Sequence, residues 1–196
     1  MANLNPRTLA PAAAAGLALA ALLGCGGKTL YSVPSVLAFS PPAAPAGTNV
    51  IIAGAGFKGI GVVSFGGAPA PWFQVNTPQQ ITATVPMTAI TGAVVVENSA
   101  GLGTSYNSFV VMPTITGINL ASGPAGTAVT LTGSGFYGTS AVAIGSETPG
   151  QPGSSTFTYV NPNQVTVMVG ANATTGPVLL TASEQQATGP TFTVTP

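Results

Sequence analysis

The sequence predicts an all-β chain: two tandem β-sandwiches behind an N-terminal secretion segment. Three observations carry this. First, Pro45-Ala46-Gly47-Thr48-Asn49-Val50-Ile51-Ile52-Ala53-Gly54-Ala55-Gly56-Phe57 returns as Pro124-Ala125-Gly126-Thr127-Ala128-Val129-Thr130-Leu131-Thr132-Gly133-Ser134-Gly135-Phe136, 79 positions on from Pro45 to Pro124. Second, apolar residues in each copy alternate with small or polar ones over short runs, the period of two that a half-buried strand requires. Third, the 26 Gly and 18 Pro show no G-X-Y period and fall between these runs, as turn residues do. A residue present in both copies is expected to hold the fold. A residue present in one copy is free for another task.

The elements follow in chain order. Arg7 and the free amine form a weakly positive start, and Leu9 to Leu23 is an Ala/Leu run interrupted by Pro11. A spanning helix needs about 20 apolar residues, so this run reads as the apolar region of a signal peptide over 1–24, helical if ordered. It ends in Leu22-Leu23-Gly24-Cys25, which resembles a bacterial lipobox; the resemblance implies that Cys25 is lipidated and becomes the first residue after cleavage. Cys25 is the only cysteine, so no disulfide within the chain competes for it. Lipid chains anchor because each buried CH₂ contributes about 0.8 kcal/mol. The expected membrane partner is therefore reached through this lipid. In bacterial lipoproteins an Asp after the lipidated Cys favours inner-membrane retention, so the lipobox resemblance, with Gly26 in that place, implies the outer membrane or cell surface. Residues 25–34 are then lipidated cysteine and tether, with a reach of only about 30 Å fully extended.

Domain one is expected over 35–112 and domain two over 113–196. The junction Val110-Val111-Met112-Pro113-Thr114-Ile115 has no Gly/Ser spacer, so a semi-rigid pair is predicted. Comparing the copies sets the strand register. Val129 and Leu131 alternate with Ala128, Thr130 and Thr132, so they point inward, and their counterparts Val50 and Ile52 must do the same. Ile51 then faces outward, opposite Thr130 in the other copy. After a middle loop that is five residues longer in domain two, near Gly150-Gln151-Pro152-Gly153, the offset becomes 84 (Ile81 to Val165). Ile81, Ala83 and Val85 match Val165, Val167 and Val169 as an inward row. Val94 and Val96 match Val178 and Leu180, leaving Val95 and Leu179 outside.

The run Pro-x-Gly-Thr-x-Val-x-Ile-x-Gly-x-Gly-Phe is followed by Val63-x-Phe65-Gly66-Gly67, Thr84-Val85-Pro86, Thr91-Gly92-x-Val94-Val95-Val96-x-Asn98 and a closing Phe109. Together they resemble the IPT/TIG family, over about Val36 to Val111 and again Ile115 to Val194. The resemblance implies an immunoglobulin-like sandwich for each copy. Gly170 stands where domain one has Pro86, and Ala182 where it has Asn98, so two turns of domain two should differ. Members of the family serve many functions, and the fold alone names none.

Composition excludes several classes. Only 3% of residues are charged: Arg7, Lys28 and Lys58 against Glu97, Glu147 and Glu184, with no His and no Asp. Nucleic acid requires a basic stripe to displace counterions, so no nucleic-acid partner is expected. Gly54-Ala55-Gly56-Phe57-Lys58-Gly59 and Gly133-Ser134-Gly135-Phe136-Tyr137-Gly138 satisfy G-x-G-x-x-G. A dinucleotide site needs a helix next and an acid about 20 residues on, whereas Val62-Val63-Ser64-Phe65 is another strand. Paired-carboxylate hydrolysis needs two acids within about 10 Å, but Glu147 and Glu184 are expected at opposite poles and Glu97 is alone in domain one. Serine chemistry lacks a base. No His/Cys metal site can form in the mature chain, and three scattered Glu make a poor calcium cage. No enzymatic activity, metal or cofactor is expected.

Aromatic residues remain. Phe73 aligns with Phe157 and is expected in the core. Trp72 aligns with Thr156 and Tyr137 with Lys58, so both should face out, where a ring can stack on a sugar or anchor a protein, or simply lie along the sandwich edge. The expected function is a lipid-anchored, non-enzymatic envelope protein whose two modules act as a spacer, adhesion or assembly unit with a surface protein or glycan as partner. The alternative is a carbohydrate-binding surface module using Trp72 and Tyr137.

Overall fold

The computed structural model describes residues 31–196, so Cys25, the signal segment and the first part of the tether lie outside the described residues. All regular elements among the described residues are strands. Domain one holds β1 (Ser35–Ser40), β2 (Ala43–Ala44), β3 (Asn49–Ala55), β4 (Ile60–Phe65), β5 (Ala68–Pro69), β6 (Phe73–Thr77), β7 (Gln80–Thr84), β8 (Gly92–Asn98) and β9 (Gly101–Val111). Domain two holds β10 (Thr114–Ile118), β11 (Ser122–Gly123), β12 (Ala128–Ser134), β13 (Thr139–Ile144), β14 (Thr156–Asn161), β15 (Gln164–Met168), β16 (Gly176–Ala182) and β17 (Gln185–Val194).

Each domain is a two-sheet sandwich. In domain one the sheets run β1-β3-β7-β6 and β2-β9-β8-β4-β5; in domain two they run β10-β12-β15-β14 and β11-β17-β16-β13. Pairing is antiparallel except for the short strands β2 and β11, which lie parallel to β9 and β17. No ladder among the described residues joins the two domains. Pro113 at the junction is buried. Asn163 bridges the boundary: its Nδ2 donates to the carbonyls of Gly133 in its own domain and Met87 of domain one, each at 2.8 Å.

The inward rows lie where the repeat puts them. Val50, Ile52, Val94, Val129, Leu131 and Val178 are all 0% exposed, and Ile51 is 47% exposed. In domain one they pack with Phe57, Phe65 and Phe109, whose last two rings meet edge-on at 5.1 Å. In domain two they pack with Phe136, Ile144 and Phe192. Each such side chain contributes about 1.5–3 kcal/mol by leaving water. Phe73 and Phe157 pack against the two cores. Val95 and Leu179 are half-buried rather than open. Both sit mid-sheet, flanked on each side (Ser64 and Thr104 beside Val95, Ala143 and Thr188 beside Leu179), and the neighbours cover part of each.

The expected turn differences have visible causes. Asn98 is buried, donates from Nδ2 to the carbonyls of Ser32 (2.8 Å) and Lys58 (3.2 Å), and accepts the Ala100 amide at Oδ1 (2.8 Å). Ala182 can do none of this. Its turn instead places Ser183 and Glu184 at φ 48° and 65°, the left-handed pair that a tight type I′ hairpin uses.

Candidate functional site

The glycine runs are structural. β3 passes through Gly54 to Gly56 into β4, and β12 through Gly133 to Gly135 into β13. A Cβ on Gly54 would run into the Ser35 carbonyl oxygen and the Phe57 ring; on Gly133 it would meet the Thr114 oxygen and Phe136 in the same way. The strand exchange and the buried Phe require glycine, and no phosphate cradle is formed.

The carboxylates are spread. Glu97 lies exposed on β8, and Glu184 sits exposed in the β16–β17 turn. Glu147 follows β13, whose end pairs with the start of β16 at Ile144–Val178, while Glu184 lies beyond Ala182 at the other end of β16. The two acids thus occupy opposite poles, as the strand directions predict. Glu147 is turned inward. Its Oε1 accepts the Ile144 amide at 2.6 Å and its Oε2 the Ser155 amide at 2.8 Å. It braces a loop and has no second acid beside it. Among the described residues no three His, Cys, Asp or Glu side chains cluster as metal ligands do.

The exposed aromatics occupy three places. Trp72 is 48% exposed at the head of β6. Its backbone is fixed by the Thr84 amide, which donates to the Trp72 carbonyl at 2.9 Å, so the ladder holds the residue while the ring stays open. Tyr137 is 49% exposed on domain two. It shares no aromatic contact with Trp72. It meets Tyr159 on β14 instead, edge to face, with ring centroids 6.3 Å apart at 83°. Such a pair is a rigid amphipathic surface with little side-chain entropy to lose on binding. Partial burial, and secondarily the Tyr137 phenol, push the Tyr159 hydroxyl above the ordinary tyrosine range. Asn161 lies exposed two residues along β14. The Ser183 hydroxyl donates to the Tyr137 carbonyl at 3.3 Å, bringing the Glu184 turn to the same pole.

The third place is Tyr106, which is 101% exposed and lines a groove of about 270 Å³ with Leu37, Phe39, Pro42 and Asn107. Neither Tyr106 nor Tyr159 was singled out from sequence. Tyr159 matches Val75 at the 84 offset, the same asymmetry that marks Trp72 and Tyr137. Tyr106 is hidden by a one-residue slip: Val95 pairs Thr104 and Leu179 pairs Thr188, an offset of 84, but Phe109 matches Phe192 at 83. The extra residue is taken up in a register shift of β9. There the Ser105 hydroxyl accepts the Val94 amide and donates to the Asn107 carbonyl, which re-aims Tyr106 into solvent as bulges do.

No curated protein is similar to the chain at a significant level. Among solved structures, the surface glycan-binding protein PbSGBP-B of Prevotella bryantii superposes with a TM-score of 0.50 at 16% identity, over 83% of this chain and 43% of that one. SGBP-B from a complex xyloglucan utilization locus of Bacteroides uniformis gives 0.38 and 20%, over 83% and 50%. SGBP-B of the Bacteroides ovatus mixed-linkage glucan utilization locus, in complex with a mixed-linkage heptasaccharide, gives 0.34 and 14%, over 80% and 43%. At these identities the likeness is one of fold, and the chain spans half or less of the length of each. The IPT/TIG domain profile matches residues 34–111 and again 113–194. Two consecutive matches cover nearly all the described residues, and the chain belongs to the IPT/TIG domain family.

Proposed function

We propose that this chain is a non-enzymatic module of the bacterial cell surface that binds a neutral glycan through its exposed aromatic rings and is held to the membrane by a lipid on Cys25. The observation that carries the binding reading is the Tyr137–Tyr159 pair, open to solvent on domain two where domain one has Lys58 and Val75. Rings kept exposed in one copy only are not needed by the fold. The protein of Prevotella bryantii with a similar fold is by name a surface glycan-binding protein, which agrees with this reading. The low charge of the chain suits a ligand without charge.

Each stacked ring is expected to contribute about 1 kcal/mol, so Tyr159→Ala or Trp72→Ala should weaken binding to xyloglucan or mixed-linkage glucan about fivefold. The readout is a pull-down or glycan array beside a thermal melt of each variant. A variant that melts many degrees lower marks its ring as core. An equally stable Tyr137→Ala/Tyr159→Ala/Trp72→Ala protein with undiminished binding refutes the aromatic surface.

A second reading, a spacer, adhesion or assembly unit, is favoured by the bond from Asn163 to the Met87 carbonyl and by the buried Pro113, which couple the modules. Under either reading Cys25→Ser should leave a precursor that takes up no fatty-acid probe. Unchanged labelling and fractionation of that variant would remove the anchor from the account.

A further inference from the structure

The five-residue insertion of domain two reshapes one edge of its sandwich. In domain one, Gly66-Gly67 turns the chain back at once, β5 pairs with Ser64 and Phe65, and the Ala70 amide donates to the Val63 carbonyl at 2.8 Å. The end of β4 is covered. In domain two the sheet order ends at β13, and among the described residues no strand lies on its outer edge. The longer loop stands away from that edge and leaves a cleft of about 510 Å³, within the range of about 300–1,000 Å³ typical of small-molecule sites. Ser140, Ala141 and Val142 of β13 line one wall; the segment from Pro149 to Phe157 lines the other.

The wall is fixed before any ligand arrives. Glu147 clamps the Ile144 and Ser155 amides. The Ser154 hydroxyl donates to the Gln151 carbonyl at 2.8 Å, Asn172 Nδ2 to the Pro152 carbonyl at 2.8 Å, and the Gly170 amide to Ser155 Oγ at 3.0 Å. Gly170, the departure from Pro86 of domain one, belongs to this device: a Cβ there would run into the backbone of Gly153, Ser154 and Ser155. Insertion and glycine are one change.

The cleft and the tyrosine pair share both walls. Tyr137 lies three residues before Ser140, and Tyr159 two residues after Phe157 on the same face of β14. Tyr137 sits in the turn that leads into β13; along β14, at about 3.3 Å per strand residue, Tyr159 lies about 7 Å from Phe157. The lining carries no charged side chain. It offers the hydroxyls of Ser140 and Thr156, the Gln151 amide and the open edge of β13, beside the apolar faces of Pro149, Pro152 and Phe157. Hydroxyl partners around an apolar floor match a pyranose ring, which presents hydroxyls at its rim and C–H groups on its faces.

We infer that the seam between β13 and β14 is an extended glycan track, with one subsite at Tyr137–Tyr159 and a second in the insertion cleft, occupied together by a neutral oligosaccharide. This rests on the glycan reading above and adds where the chain lies and why its length matters. The test is calorimetric titration of the purified protein with mixed-linkage glucan oligosaccharides from tri- to heptasaccharide. Wild type should bind the heptasaccharide at least tenfold more tightly than the trisaccharide. Ser140→Trp, which fills the cleft from an exposed position, should lose that gain while keeping trisaccharide affinity and melting temperature; Gln151→Ala should lose part of it. If both variants bind the heptasaccharide like wild type while Tyr137→Ala does not, the cleft is excluded and the glycan reading stands. If wild type binds no oligosaccharide of the series, the track is refuted; if it also binds no xyloglucan, the glycan reading fails with it. If Ser140→Trp instead abolishes a dimer seen by sedimentation and leaves glycan binding intact, the β13 edge serves strand pairing and the track is refuted.

Discussion

Leu131→Ala is expected to destabilise domain two by about 2–5 kcal/mol, whereas Ile51→Thr should stay within about 1 kcal/mol of wild type. Leu131 is fully buried, laddered between Ile118 and Val165, and packed in the core that contains Phe136, Val167 and Leu180. Removing its isopropyl group leaves a cavity that the rigid strands cannot close. Ile51 carries a side chain of the same size one position away in the equivalent strand, but it is 47% exposed and faces Thr82 across the ladder. The other copy already has Thr130 there. In a domain of this size 1 kcal/mol moves the melting temperature by about 4–8 °C, so the Leu131 variant should lose on the order of 10 °C or more in the transition of domain two. Equal losses from both changes, measured by calorimetry, would place the register one residue off.

That contrast shows where the sequence is informative. An internal repeat samples each position twice, and positions that tolerate both Ile51 and Thr130 cannot be core. The same comparison places Val50 and Leu131 inside and Trp72 and Tyr137 outside. It fails where the copies differ in length. The one-residue slip in β9 removes the counterpart that would have flagged Tyr106, and the insertion after β13 has nothing in domain one to be compared with. The cleft is also invisible because it is made by the absence of a strand, replaced by a loop whose bracing bonds join residues 8 and 20 positions apart, Glu147 to Ser155 and Asn172 to Pro152. Gly170 and Ala182 are legible as departures, but their reasons, a close approach of the loop and a left-handed turn at Ser183-Glu184, need coordinates. Val95 and Leu179 point outward as the alternation requires; their partial burial comes from cross-strand neighbours that no single strand pattern reports.

The second large effect expected is binding of a neutral polysaccharide that ignores salt. With 3 basic and 3 acidic side chains in the whole sequence, Coulombic attraction has little to act through. Ring stacking and hydroxyl hydrogen bonds are not screened as exposed charges are. Xyloglucan should therefore slow the protein equally at low and high ionic strength, and an anionic polysaccharide should not slow it more. The most direct measurement is affinity electrophoresis of the purified protein through gels containing xyloglucan or mixed-linkage glucan, run at 0.02 M and 0.5 M salt, about a fivefold change in screening length. Retardation by a neutral glucan that is the same at both salts, and lost in the triple Trp72, Tyr137 and Tyr159 alanine variant, is the predicted result. Migration unaffected by any neutral glycan, or retardation that disappears at 0.5 M salt, would contradict it.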